Sequence, residues 1–458
     1  MDEVLWLHAW PGRGTPINSH YCDKDPAIPM IPLIETLPAM LRILLVFALI
    51  LLVIKRKWAL GHAFVLGAVS LGLVFGMTPG PMARSVLTAT LDPRTLCLTI
   101  IVSLILVLSH SLEKTGQMGR LLDAYKGLVR WPKLNLVVFP ALIGLLPMPG
   151  GAIFSAPMVK TLGQSHRLPG ATLSFINYWY RHIWEYWWPL YPGILLTTAL
   201  ADIDLWQLVL VTLPLTVVAI VAGYWPLRGR IDAADHRGER HVGPFVRELT
   251  PILIVIVGGL GMGQGLFALL PPESRALTKE AGLIAALCVG IGWVWHMNRM
   301  PAKDRWGIVV QPALLKMIYM VTAILIFKGM LEDSGAVADL SREIMHWQIP
   351  LMAIAVVLPF IVGVVGGITI AFVGTTFPIL ITLIHALGES PMLLPYLALA
   401  LVSGFTGVLL SPLHLCLLLS NAYFQTALMP VYRRMAVPLV ILLGGGCLYF
   451  ILLRFYLS

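Results

Sequence analysis

Leu146-Pro147-Met148-Pro149-Gly150-Gly151-Ala152-Ile153-Phe154-Ser155-Ala156-Pro157 is the stretch whose reading decides the fold. It follows an apolar run, 134–147, that is too short to cross a bilayer, since a crossing helix needs about 20 apolar residues. Prolines and paired glycines then stop the helix, and the chain turns apolar again. Backbone amides and carbonyls freed at membrane depth are tolerated only when buried in protein or facing a wet cavity. The pattern predicts a re-entrant hairpin: half a crossing, a turn, and a return to the same face. A second short run, 351–364, leads into Gly366-Gly367-Ile368-Thr369-Ile370-Ala371-Phe372-Val373-Gly374-Thr375-Thr376-Phe377-Pro378 and reads the same way.

Outward from these stretches the chain stays apolar. Of its 458 residues, 58% are hydrophobic and only 12% charged, about half the charge of a soluble chain. This excludes a cytosolic enzyme, a nucleic-acid reader and a disordered scaffold. It leaves room for about ten spans and no sizeable soluble domain, so the expected fold is an all-α polytopic membrane protein. The net charge of +9 has a topological cause, because Lys and Arg accumulate on cytoplasmic loops. The basic groups at 55–57, 114–130, 228–247, 299–305 and 433–434 share one face if 134–166 enters and leaves from inside and 351–386 from outside. Both termini then lie outside. The first thirty residues have neither a basic start nor an apolar core, so no cleavable signal peptide is expected.

An internal repeat supports this placement. Leu112-Glu113-Lys114-Thr115-Gly116 and Leu331-Glu332-Asp333-Ser334-Gly335 lie 219 positions apart, as do Pro140-Ala141-Leu142-Ile143-Gly144 and Pro359-Phe360-Ile361-Val362-Gly363. Two matches in one register point to a tandem duplication. The expected organisation is an extracytoplasmic segment over 1–35, a first repeat over 36–227 and a cytoplasmic linker over 228–248. A second repeat over 249–432 and a C-terminal transmembrane helix over 433–458 complete it. After Gly116 an amphipathic stretch carries Arg120, Lys126 and Arg130, whereas Asp333, Asp339 and Glu343 dominate its equivalent in the second half. The same interfacial helix is therefore expected on opposite faces, which makes the repeats inverted.

Interrupted helices in matching halves point to a transporter binding site near the bilayer midplane. Amides around Gly150, Gly151, Gly366 and Gly367 favour an anion, and Ser155, Thr375 and Thr376 add hydroxyls. Close helix packing is the plainer reason for such glycines. The densest polar constellation runs from Asn177 to Gly193, through Arg181-His182-Ile183-Trp184-Glu185. Arg181 and Glu185 are four apart, on one face of an expected helix, with Asn177 one turn earlier. An ionised residue at bilayer depth costs at least ~2.5 kcal/mol, which favours an inward-facing position. Arg181 could bind an anion through its planar fork, pair structurally with Glu185, or lie in an aromatic belt at the headgroups.

His182 could relay a proton or simply pack through a hydrogen bond. Pro189 and Pro192 are expected to break this helix, and Ser411-Pro412-Leu413-His414 is the corresponding break in the second half. Ser411 and His414 arrive there, unless each bonds back to its own helix. Substrate contacts are thus expected from Gly150, Gly151, Ser155, Asn177, Arg181, Gly366, Gly367, Thr375, Thr376 and Ser411, and ion coupling from Glu185, His182 and His414. HExxH, GxSxG and P-loop signatures are absent, so no enzyme and no cofactor is expected. The five cysteines, Cys22, Cys97, Cys288, Cys416 and Cys447, are far apart and form neither a metal pattern nor a disulfide framework.

Glu113-Lys114-Thr115-Gly116, Pro147-Met148-Pro149-Gly150-Gly151, the aromatic run from Asn177 to Gly193 and Ser411-Pro412-Leu413-His414 resemble an uncharacterised family of multi-span bacterial and archaeal proteins. That family is placed in the ion transporter superfamily, beside the divalent anion/sodium symporters, gluconate permeases and arsenite permeases, and the resemblance covers most of the chain from about residue 36. It implies an elevator-type secondary transporter in the cell membrane, working as a homodimer. Sodium-coupled relatives carry Ser-Asn-Thr at both hairpin turns. This sequence departs from them, with Ser155-Ala156-Pro157 and Gly374-Thr375-Thr376, which opens protons carried by Glu185 or His182 as coupling ion beside sodium. The expected function is proton- or sodium-coupled transport of a small organic anion, a carboxylate by preference. Its rivals are a cation/proton antiporter using Glu185 and a lipid-handling protein or membrane-embedded enzyme. Membrane lipids are expected partners and nucleic acids are not.

Overall fold

Helix α1 (Ala39–Lys55) is the first described element, and every described element is helical. The structure, a computed structural model, describes residues 37–125, 132–147, 151–165, 167–228, 242–271 and 277–457. Gly150, Lys126, Arg130, the 1–35 segment and most of the 228–248 linker lie outside these residues. The first half continues with α2 (Leu60–Val74), α3 (Pro79–Leu91), α4 (Pro93–Lys114), α5 (Gln117–Tyr125), α6 (Pro132–Gly144), α7 (Ala152–Ser165), α8 (Gly170–Arg181), α9 (Pro192–Ala201), α10 (Leu205–Thr212) and α11 (Pro214–Tyr224). The second half comprises α12 (Val242–Leu253), α13 (Gly259–Leu269), α14 (Thr278–Met297), α15 (Ala302–Val309), α16 (Pro312–Asp333), α17 (Ala336–His346), α18 (Leu351–Gly366), α19 (Thr369–Ala386), α20 (Leu393–Leu410), α21 (Leu415–Tyr423) and α22 (Leu428–Leu457).

Among the described residues, 8 helical stretches are long and apolar enough to cross a membrane, where composition suggests about ten. Leu60–Val74, Leu134–Gly144, Pro192–Ala201 and Leu351–Gly366 are further apolar helices of shorter length. Leu210, Val217, Val440 and Phe455 are each more than 60% exposed, an arrangement that suits lipid and not water. Proline opens α4, α9 and α16, where its missing N–H costs no hydrogen bond. The starts of α4, α5 and α6 are followed 219 positions later by those of α16, α17 and α18.

The acidity of α17 has a local cause that the sequence pattern does not reveal. The Glu343 carboxylate accepts the N–H groups of Ala39 and Met40, the latter at 2.7 Å, and so caps the start of α1. Asp339 lies 3.8 Å from Arg42 one turn along that helix. A carboxylate at a helix N-terminus satisfies orphan donors and complements the dipole. In the other half, α5 is tied by its polar side, with Arg120 donating to Glu248 and Asn298.

Glycines permit the closest helix approach. A Cβ at Gly363 of α18 would sit 2.2 Å from the Gly404 carbonyl oxygen, and one at Gly407 of α20 would sit 2.2 Å from that of Phe360. The α18–α19 connection is only Gly367-Ile368, with Gly367 at φ +65, a conformation glycine adopts without strain.

Candidate functional site

The first interruption separates α8 from α9 over residues 182–191. Sequence spacing places Glu185 on the same helical face as Arg181, with the break at Pro189; in the fold α8 already ends at Arg181 and Glu185 lies in the turns beyond it. Three aromatic donors explain the early stop. Trp184 donates its indole N–H to the Ala141 carbonyl at 2.7 Å, Trp188 to Leu145 at 3.0 Å, and the Tyr191 hydroxyl to Gly144 at 2.7 Å. These carbonyls belong to the last turn of α6 and its exit, where no intrahelical donor remains. The aromatic run therefore caps a broken helix inside the protein. It does not form a headgroup belt at these three residues.

The second interruption, residues 411–414 between α20 and α21, is built by the same rule. The Tyr178 hydroxyl lies 3.2 Å from the Leu409 carbonyl, and Tyr432 donates to Leu410 at 2.8 Å. Tyr178 belongs to the first half and Tyr432 to α22, so this break is completed by side chains from elsewhere in the chain.

Direct contacts join the interruptions. His414 Nδ1 donates to the Gly367 carbonyl at 2.7 Å, and its Nε2 lies 3.0 Å from Nε2 of His182. The Thr369 hydroxyl donates to Glu185 Oε2 at 2.9 Å, while Glu185 Oε1 is 3.7 Å from His182 Nε2. Arg181 Nη1 lies 3.4 Å from the same His182 nitrogen. Gly151, at the end of the first turn, lies under the guanidinium, since a Cβ there would be 2.4 Å from Arg181 Nη2. Arg181 is 2% exposed and His182 fully buried, so the cluster is closed to solvent.

Asn177 and Ser155 form a neighbouring network. Ser155 donates to Asn177 Oδ1 at 2.6 Å, and Asn177 Nδ2 donates to the Ala152 carbonyl and to Ser420, both at 2.9 Å. One turn back, Ser174 donates to Asn421 at 2.6 Å. These bonds clamp α7, α8 and α21 together with their polar groups satisfied. Ser411 Oγ accepts from the Leu413 N–H at 3.3 Å and lies against Gly367. Gly366 closes α18 beside it. Thr375 and Thr376 stand apart from the cluster's hydrogen bonds: their hydroxyls bond back to the Ala371 and Phe372 carbonyls of α19, the usual fate of a threonine within a helix. Gly150 lies outside the described residues.

Sequence reasoning passed over Thr369, Ser420 and Cys416. By spacing, the cysteines form no metal pattern. In the fold, however, Cys416 Sγ and one nitrogen each of His182 and His414 lie within 4.8 Å of one another, all three residues buried. No local signal marks this set, because His182 lies far along the chain from His414 and Cys416. A cleft of about 320 Å³ lies elsewhere, lined by residues including Arg94, Asp202, Asp204 and Lys279. Ion pairs Arg94–Asp202 and Lys279–Asp204 stand in it.

Among curated proteins, none matches this chain. The family described as protein of unknown function (DUF401) matches residues 38–453, a stretch that takes in both interruptions and both helix pairs leading into them, and the chain belongs to that family.

Proposed function

We propose that the chain is a secondary active transporter for a small organic anion, with carboxylates as the leading class. The observation that carries this reading is Arg181, a 2%-exposed cation at the junction of two broken helices. A guanidinium offers a rigid fork of donors that matches a carboxylate. Gly151 lets the backbone pack directly against it, where a Cβ would clash, and amides at interrupted helices add to the attraction for an anion. The Asn177–Ser155 network and Ser411 with Gly367 flank the site, and Thr369 with Glu185 bounds its far side.

In this reading the chain is two inverted repeats, 36–227 and 249–432. The α6–α7 and α18–α19 pairs are the re-entrant hairpins. The constant offset of helix starts supports a duplication, and the contacts among interruptions support one shared site. The repeats carry the anion by an elevator motion in a homodimer of the bacterial or archaeal inner membrane, with the N-terminus outside. A proton or sodium gradient supplies the energy. The closed cluster is then an occluded state.

Uptake of labelled mono- and dicarboxylates into proteoliposomes tests the reading. Arg181→Ala is expected to lower initial uptake at least tenfold. Lys114→Ala, which removes an exposed pair with Asp304, is expected to leave it within twofold, since surface ion pairs contribute little. Equal loss in both variants, or sodium movement driven by pH without anion uptake, would sink the reading.

A further inference from the structure

The His182–His414 contact carries a chemical conflict. Nδ1 of His182 faces the Tyr178 carbonyl and Nδ1 of His414 faces that of Gly367. A carbonyl only accepts, so both Nδ1 atoms carry hydrogen, and in a neutral imidazole Nε2 is then a bare lone pair. The two Nε2 atoms nonetheless face each other at 3.0 Å. Two lone pairs at that distance require a cation between them. Arg181 points its Nη1 at His182 Nε2 from the side, 3.4 Å away.

Cys416 supplies what a metal needs and a bare proton does not. Its Sγ lies within 4.8 Å of both ring nitrogens. The ligands are presented rigidly: each imidazole is oriented by a carbonyl behind it, as metal-ligating histidines normally are, and Cys416 stands in the first turn of α21, two residues after His414. Thiolate with two imidazoles is a soft donor set that suits monovalent copper. Charge selects among metals. The Cys416 thiolate offsets one positive charge, so a monovalent ion adds no net charge to the buried cluster. A divalent ion would leave one uncompensated charge there, which is costly away from water.

The geometry points to a buried three-coordinate site for a soft monovalent metal ion, copper(I) in class, held by His182 Nε2, His414 Nε2 and Cys416 Sγ. This goes beyond the anion-transport reading, and binding is read without any gradient, so either can fail alone.

The test uses the full chain in detergent with Cys22, Cys97, Cys288 and Cys447 replaced by serine, leaving Cys416 as sole cysteine. Copper(I) is delivered anaerobically from a chromophoric chelator. One equivalent per chain is expected, with one sulfur and two nitrogen neighbours by X-ray absorption and zinc(II) bound at least tenfold more weakly. Cys416→Ser and His414→Ala in that background are expected to lose stoichiometric binding, with unfolding temperature as the folding control. Should either variant fail to fold, the coordination shell of the sole-cysteine protein decides. No copper retained by that protein, a shell without nitrogen, or zinc held as tightly as copper would overturn the assignment.

Discussion

Gly144 shows how a single residue sets the geometry of the polar cluster. A Cβ at this position would sit 2.0 Å from the Arg181 carbonyl oxygen, a backbone atom that cannot swing aside. Gly144→Ala must separate α6 from the end of α8, and overpacking of this kind costs about 1–3 kcal/mol. The expected outcome is a clear drop in unfolding temperature in detergent. Gly292→Ala, where an added Cβ meets nothing within 4 Å, serves as the matched control and is expected to be neutral or slightly stabilising. The paired glycines read as an interruption or as close packing, and Gly144 and Gly363, outside those pairs, serve close helix packing. At Gly367, the left-handed backbone is the reason for glycine.

At the scale of helices, the recurrent device is an aromatic N–H or O–H placed on the carbonyls of a helix that stops inside the protein. Trp188→Phe removes the donor to Leu145, and Tyr191→Phe the donor to Gly144, while keeping most of the ring volume. Each change is expected to lower stability by about 0.5–1.5 kcal/mol, the net worth of a hydrogen bond, or somewhat more if the carbonyl stays dry. Thermal unfolding of the two single variants and the double variant checks this, with near-additive losses expected if the caps act separately. A Trp188→Phe protein as stable as its parent would show that the indole serves packing alone. Prolines made the interruptions visible in the sequence. They did not reveal where α8 ends, because the early stop at Arg181 is imposed by α6.

Across the whole molecule, the two halves meet through their interruptions. An ideal Cβ at Gly193 would lie 3.3 Å from Thr369 Cβ, near the separation a disulfide requires. A Gly193→Cys, Thr369→Cys protein in a background free of other cysteines is therefore expected to cross-link under mild oxidation. With a protease site inserted in 228–248, the cut halves should remain joined on a denaturing gel until reduced. Halves that separate without reductant would contradict the contact between α9 and the start of α19. In the transport reading, the same cross-link should also arrest uptake, and reduction should restore it.

The sequence alone determined the class of the protein and the presence of its interruptions. Apolar content, proline and glycine act over a few residues, so their consequences can be read locally, and the offset of 219 positions is preserved in the chain itself. Tertiary structure alone decided which polar groups meet. His182 and His414 are 232 positions apart, Glu185 finds Thr369 184 positions on, and Cys416 joins them from the first, apolar turn of α21. A buried polar group must find partners wherever packing delivers them, and no periodicity along the chain encodes that choice.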